Sequence, residues 1–263
     1  MEVSGSAIHL NDVAHVYESQ DGSEVPALAD ISFDIADREF VAVVGPSGCG
    51  KSTLLRIIGG LIRPTAGNVN IGGTNVIEPR EEVGIVFQAP TLLPWTNVLN
   101  NVLFPVKLLR GIGDADRKAA GDLLKLVGLS GFEHKNPREL SGGMQQRVAI
   151  CRALVTNPRV LLMDEPFGAL DALTREEMSL ELLRICEKFP KTIYFVTHSI
   201  SEAVLLADRV IVMGARPGTI VDIVPIELPR PRSFDLIQTP EFLNDAKRIR
   251  DHIFGQRMVV TDA

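Results

Sequence analysis

Nine residues constrain this chain more than any others: Gly45-Pro46-Ser47-Gly48-Cys49-Gly50-Lys51-Ser52-Thr53, placed directly after the apolar run at 39–44. They fit the pattern G-x-x-x-x-G-K-[ST] in full. The glycines let successive backbone N–H groups converge on an anion, Lys51 reaches the β and γ phosphates of a nucleotide, and the Ser52 hydroxyl ligates Mg²⁺. By average residue usage a chance match in a chain this long is on the order of one per cent. A buried strand before the loop and a helical run at 51–58 after it supply the context that a phosphate loop requires. Cys49 supports two readings. It is a small residue tolerated inside the loop, or a thiol whose pKa is lowered by the helix N-terminus and Lys51.

The rest of the chain repeats this α/β texture. Residues 8–35 alternate apolar positions with the turn Asp21-Gly22-Ser23, as short antiparallel strands do. Strand-like runs follow at 68–71 and 83–87, then at 160–163, 192–196 and 209–213. Between about 89 and 156 the pattern turns helical: Ala119, Leu123, Leu126 and Val127 recur at helical spacing before Gly128, and Met144, Val148, Cys151 and Val155 share one stripe of a helix that starts at Gly142. Helical segments are expected at 173–187 and 201–207, the latter opened by a capping box of Ser199 and Glu202. The tail beyond Pro229 carries Arg230, Arg232, Lys247, Arg248 and Arg250, and reads as a short surface helix with a solvated basic face.

Composition narrows the class. A chain of 263 residues with 45% hydrophobic and 23% charged content can bury a core, as one large domain or two smaller ones. The net charge of −6 offers no global field for nucleic acid. The longest strongly apolar runs, near 41–45 and 160–163, fall far short of the roughly 20 residues of a membrane helix. Residues 1–10 lack the basic start and apolar core of a secretory signal, so a cytosolic protein is expected. Cys49, Cys151 and Cys186 are scattered without metal-ligand spacing and read as reduced thiols.

Further candidates carry chemistry. Leu140-Ser141-Gly142-Gly143-Met144-Gln145-Gln146-Arg147 opens a helix with a Ser-Gly-Gly turn, a second set of backbone donors for an anion. The run at 160–163 ends in Asp164 and Glu165. Asp164 fits the outer partner of Mg²⁺ and Glu165 the base or water-positioning group for attack on a γ phosphate, although the pair before Pro166 also suits a plain helix N-terminus. Gln88 and His198 each follow a strand, where α/β proteins place ligand contacts. Gln88 fits a bridge from Mg²⁺ to the helical insert, and His198 a hydrogen bond to the γ phosphate or the attacking water. Asp171 fits a helix cap. Tyr17 fits a stacking platform for adenine or simple core packing.

With these residues in this order, the chain resembles the nucleotide-binding subunits of ABC transporters over residues 8–224. The resemblance rests on the aromatic Tyr17, the phosphate loop, the glutamine loop at Gln88, the LSGGMQQR signature, the acidic strand end Asp164-Glu165, Asp171 after Ala169-Leu170, and the switch histidine His198. It implies a P-loop NTPase core with a small antiparallel β subdomain and a helical subdomain at about 89–156, together an ABC ATPase domain over 8–228, with a helical tail over 229–263. It also implies a homodimer that sandwiches two MgATP, each phosphate loop facing the other copy's Ser141, Gly142 and Gly143, with both sites hydrolytic.

The segment from Gln88 through Pro94, Trp95 and Val98, and the later Ala215-Arg216-Pro217-Gly218-Thr219-Ile220, resemble the ATPases of importers for nitrate, sulfonates and taurine. Relatives of those take up bicarbonate or pyrimidine precursors. Such a subunit sits on the cytoplasmic face of the inner membrane, bound to permease subunits and served by a substrate-binding protein. Leu93 and Trp95, read as exposed, lie where that family receives a coupling helix of the permease; the alternative packs Trp95 into the helical insert. An exporter subunit uses the same cassette. A soluble cassette ATPase acting on nucleic acid is the other class, but those carry long coiled-coil insertions or two cassettes, and neither is present in this sequence.

Overall fold

The computed structural model describes residues 6–260. Residues 1–5, part of the stretch in which a secretory signal was considered, lie outside them, as do the last three of the tail. In chain order the elements are β1 (Ser6–Glu18), β2 (Glu24–Ala36), β3 (Phe40–Val44), α1 (Lys51–Ile58), β4 (Ala66–Ile71), β5 (Thr74–Asn75) and β6 (Val83–Val86). Then come α2 (Val98–Leu109), α3 (Asp114–Leu126), α4 (Gly142–Leu154), β7 (Val160–Asp164) and α5 (Ala172–Lys188). The chain closes with β8 (Thr192–Val196), α6 (Ile200–Leu206), β9 (Arg209–Met213), β10 (Ile220–Pro225) and α7 (Pro240–Val260). These fall into two compact units, one holding 6–80 and 191–260 and the other 81–190.

The first unit contains two sheets. β1 and β2 form a long antiparallel hairpin whose turn needs Gly22 at φ 81. With β4 and β5 they make an antiparallel sheet in the order β2-β1-β4-β5. In the second set of strands β3 lies between β8 and β9, parallel to both, and β10 pairs antiparallel with β9. β3 and β8 are buried at every position. That is why they read as unbroken apolar runs instead of alternating ones.

The tail departs from expectation. α7 runs for 21 residues and buries Phe242, Ala246 and Ile249 along one stripe. Three of the tail's basic side chains make ion pairs at the surface: Arg230 with Asp208 at 2.7 Å, Lys247 with Asp251 of the same helix at 2.7 Å and Arg248 with Asp222 at 2.9 Å. Arg232 is only 6% exposed. Its guanidinium donates to the carbonyls of Val204, Leu205 and Ala207 at the end of α6, and to those of Ile226 and Leu228. Burial and the neighbouring Arg230 bring its pKa down to about 10. The tail helix is therefore longer than the short surface helix expected, but it packs by an apolar stripe and keeps Lys247, Arg248 and Arg250 exposed, while its lead-in caps α6 with the buried Arg232.

The second unit pairs β6 with β7 in parallel and inserts α2, α3 and α4 between them. α2 was not read as a separate element, since Pro105 lies inside it and Asn101 interrupts its apolar run. Asn101 is fully buried and ties down the preceding loop: Oδ1 accepts from the Leu93 N–H at 2.7 Å, and Nδ2 donates to the Leu93, Thr96 and Asn97 carbonyls. In α3 the buried stripe is Ala120, Leu123 and Leu124, continued by Val127, while Ala119 faces solvent. The expected stripe holds at Leu123 and Val127, while Leu126 is half-buried and Ala120 and Leu124 are buried in addition. Among the described residues no helix is long and apolar enough to cross a membrane.

Candidate nucleotide-binding site

In the first unit the functional side chains gather at the carboxyl ends of parallel strands, where α/β folds bind ligands. β3 runs straight into the phosphate loop, Gly45 to Thr53, and α1 starts at Lys51. Gly48 and Gly50 take φ of 77 and 99, which a Cβ would penalise. Gly50 is the N-cap of α1 and brings no side-chain cap to the start of the helix. Lys51 is 4% exposed, and its Nζ donates to the Gly45 and Pro46 carbonyls at 3.0 Å each. The ammonium is thus fixed within the loop before any phosphate arrives. Ser47 is exposed and Ser52 half-buried.

Cys49 is buried, and burial raises its thiol pKa despite the attraction of Lys51. Desolvation outweighs the positive charge, which corrects the reactive-thiol reading and leaves the small-residue one. Tyr17 is exposed, which removes the core-packing reading. Its hydroxyl lies 3.2 Å from Thr53 Oγ1, and its ring meets His15 edge-on with centroids 4.5 Å apart. His198 is exposed just beyond β8, on the strand edge that carries the phosphate loop. After it, Ser199 Oγ accepts from the Glu202 N–H, and the Glu202 carboxylate accepts from Thr197 Oγ1.

In the second unit, β6 and β7 end side by side, Val86 opposite Met163. Gln88 and the pair Asp164-Glu165 follow. Gln88 Nε2 donates to Glu165 Oε2 at 3.4 Å. Asp164 is buried, and Glu165 takes φ 46, a left-handed conformation for a residue with a side chain. Such strain costs on the order of 1–3 kcal/mol and is characteristic of sites where a side chain must be aimed. The Gly168 N–H to the Glu165 carbonyl, at 3.0 Å, braces the turn.

Ser141 is the N-cap of α4, its Oγ accepting from the Met144 N–H at 3.3 Å. Ser141 and Gly142 are exposed, and a Cβ on Gly142 would meet nothing within 4 Å. Gly143 is buried, and a Cβ there would lie 2.7 Å from Thr174 Cγ2. Thr174 in turn donates Oγ1 to Asp171 Oδ2 at 2.7 Å, and its N–H caps on Asp171 Oδ1 at 3.1 Å. The start of α5 therefore backs onto the Ser-Gly-Gly turn. The Thr174 hydroxyl, then its amide, hold the Asp171 carboxyl below its ordinary pKa.

Three residues whose contacts the sequence does not indicate, two of them within the signature, organise this unit. Gln146, 2% exposed, donates Nε2 to the Phe87 carbonyl at 3.3 Å, one residue before Gln88. Arg147 donates to the Val127 carbonyl at 2.9 Å, joining α4 to the end of α3. Arg152 donates to the Pro90 and Thr91 carbonyls at 2.8 and 2.9 Å and pins the loop after Gln88. That loop leaves Trp95 77% exposed and Leu93 half-buried. Leu93 is therefore less open than expected, because Asn101 holds its backbone, and Trp95 does not pack into the helical insert. Pro94 and Trp95 line one side of an open depression completed by Asn136, Arg138 and Glu139.

Residues 28–168 match the ABC transporter family. An uncharacterized ABC transporter ATP-binding protein of Methanocaldococcus jannaschii is 52% identical over 92% of this chain and 89% of its own length. The nitrate import ATP-binding protein of Synechocystis is 43% identical over 97% and 98%, and the taurine import ATP-binding protein of Rhizobium johnstonii 51% identical over 76% of each chain. A solved dimeric structure of a bacterial ABC transporter cassette superposes with a TM-score of 0.74 at 36% identity, covering 84% of this chain and 100% of that one. With the phosphate loop, the signature turn and the acidic strand end all in place, this chain belongs to the ABC transporter family as an ATP-binding subunit and is an ATPase.

Proposed function

We propose that this chain powers an importer for a small anion or organic acid of the nitrate or taurine type, working as a homodimer on the cytoplasmic face of the inner membrane beneath permease subunits that receive solute from a binding protein. The observation that carries the reading is the outward-facing signature turn. Ser141 and Gly142 present a helix start to solvent with no side chain over it, as a surface meant for phosphates held by a second copy would be. The identity with the nitrate importer ATPase over nearly the whole chain supports the solute class.

Each residue then has a role. Tyr17 stacks on adenine. The phosphate-loop N–H groups from Gly45 to Thr53 and the ammonium of Lys51 bind the β and γ phosphates. Oxygen donors suit Mg²⁺, and each residue assigned to it offers one: the Ser52 hydroxyl in the first unit and, in the second, the Asp164 carboxylate and the amide oxygen of Gln88, whose Nε2 is directed at Glu165. When bound, the ion would supply positive charge against the charge of the phosphates. Glu165 positions the attacking water and takes its proton, and His198 holds the γ phosphate. Asp171 sets the start of α5 against the signature turn. Contacts made to ATP by both copies close the dimer, and hydrolysis removes them, so that the nucleotide shifts the population between two states. Trp95 and Leu93 meet the coupling helix of the permease.

Glu165→Gln keeps the shape and removes the base. The variant should form a stable dimer in MgATP, seen by light scattering, and the permease-bound form should lose about 10²–10⁴-fold in turnover. Wild-type turnover, or a variant monomeric in MgATP, would overturn the shared-site assignment. The solute class is tested by transport of labelled nitrate and taurine in reconstituted vesicles, where uptake of neither rejects it.

A further inference from the structure

β9 and β3 run parallel with Val212 beside Val44, so the segments that follow them leave the same strand edge. After β3 comes the phosphate loop. After β9 comes the turn 214–219, closed by the Gly214 N–H on the Thr219 carbonyl at 2.9 Å. Gly218 docks this turn: its N–H donates to the Ala27 carbonyl at 2.9 Å and its carbonyl accepts from the Ala29 N–H at 3.0 Å. A Cβ at Gly218 would stand 2.0 Å from the Cys49 carbonyl oxygen, so the turn lies flush against the phosphate loop.

Seated in this way, the turn presents Arg216. Its Nε donates to the Gly48 carbonyl at 3.4 Å, and its Nη2 lies 3.8 Å from where a Gly48 Cβ would be. Gly48 is the left-handed residue in the middle of the phosphate loop, and its carbonyl shares a peptide with the Cys49 N–H, which donates to the Pro46 carbonyl at 3.3 Å. The peptide plane is held from both sides. The guanidinium also fixes a positive charge on the rim of the loop.

We propose that Arg216 is a positioning residue for ATP, acting through the Gly48 peptide to keep the phosphate loop in its anion-receiving conformation. This deepens the ATPase reading and rests on the phosphate loop being the nucleotide site. The bond is charge-assisted but exposed and long, so its effect falls on affinity and is moderate. Calorimetric titration of the full chain with MgATP should give Arg216→Ala a dissociation constant about three- to tenfold higher, with the melting temperature of the nucleotide-free protein unchanged. Arg216→Lys, which keeps the charge and a donor, should recover at least part of the loss. An unchanged constant in Arg216→Ala, or a weakening matched by a lower melting temperature without nucleotide, overturns the inference. Lys51→Ala separates the two layers: if it loses MgATP while Arg216→Ala does not, only the role of Arg216 fails. If Lys51→Ala binds like wild type, the nucleotide assignment of the loop fails and this inference with it.

Discussion

The phosphate loop and the Ser-Gly-Gly turn are both glycine-rich helix starts, yet they are built in opposite ways. At the loop two of the three glycines are hemmed in: a Cβ on Gly45 would lie 2.7 Å from the Met213 carbonyl, and one on Gly50 would lie 2.5 Å from Leu28 Cδ2 and 2.9 Å from the Ala27 carbonyl, whereas one on Gly48 would meet only Arg216 Nη2 at 3.8 Å. Lys51 is buried against carbonyls of its own loop. At the turn, Gly142 has open space in front of it and only Gly143 is pressed from behind, by Thr174. The first is a receptacle finished by its own unit, and the second is a face left bare. A glycine motif alone does not say which; the atoms around each glycine do.

Gly50→Ala probes the finished side and carries the largest expected loss of stability. The methyl group meets backbone as well as Leu28, and the residue must keep φ near 99, so left-handed strain of about 1–2 kcal/mol adds to overpacking of about 1–3 kcal/mol. Urea unfolding should show a lower midpoint and MgATP binding should be lost. A variant with unaltered midpoint would mean that the loop is looser than its packing indicates, and the contrast with Gly142 would dissolve.

Gln146→Leu comes next and tests how the bare face is tied to Glu165, the carboxylate proposed to act on the attacking water. The side chain is apolar and similar in size, so the main loss is the hydrogen bond to the Phe87 carbonyl, about 1–2 kcal/mol. Because Phe87 precedes Gln88, and Gln88 reaches Glu165, turnover of the permease-bound dimer should fall by more than its MgATP affinity does. Equal losses in both would reduce Gln146 to a packing residue.

These two variants also mark the line between what the sequence discloses and what it does not. β3, α1, β7 and β8 were legible because their signal is local: an apolar run, a glycine spacing, a helix start. So were the positions of Lys51 at a helix start, Glu165 after a strand end and Ser141 at a helix cap, each set by its immediate neighbours. Gln146, Arg216 and Arg232 were not, since each acts on carbonyls 59, 168 and 25 residues away in the chain. Periodicity contains no term for such partners. The same reason applies to the tail, where the partners of the exposed Arg230 and Arg248, Asp208 and Asp222, belong to earlier parts of the chain.

Two of the helix caps in the second unit, Ser141 and Asp171, offer a smaller test. Ser141→Ala removes a neutral, exposed cap from α4 and should cost about 0.5–1 kcal/mol. Asp171 caps α5 with a charge, and its pKa is lowered by Thr174. Its contribution is complete above the ordinary carboxylate value of about 3.9, and is lost as the pH falls through the lowered one. Acidification should therefore expose the Thr174 amide to hydrogen exchange relative to the Met144 amide, whose cap does not titrate. Parallel behaviour of the two amides would show that the Asp171 cap does not govern its helix.

Gly142→Ala should change the isolated chain least. The residue lies in the first turn of α4, faces open space and keeps an ordinary helical backbone, so the substitution is neutral or stabilising by less than about 1 kcal/mol. Its consequence should appear only when a second copy brings phosphates to that face, where the added methyl stands in the way of the backbone donors. The expected result is an unaltered unfolding curve and MgATP affinity in the monomer, together with weaker MgATP-driven dimerisation when the change is combined with Glu165→Gln. If dimerisation is also unaltered, the bare face is not where the second copy's nucleotide sits, and the openness of Gly142 has no bearing on hydrolysis.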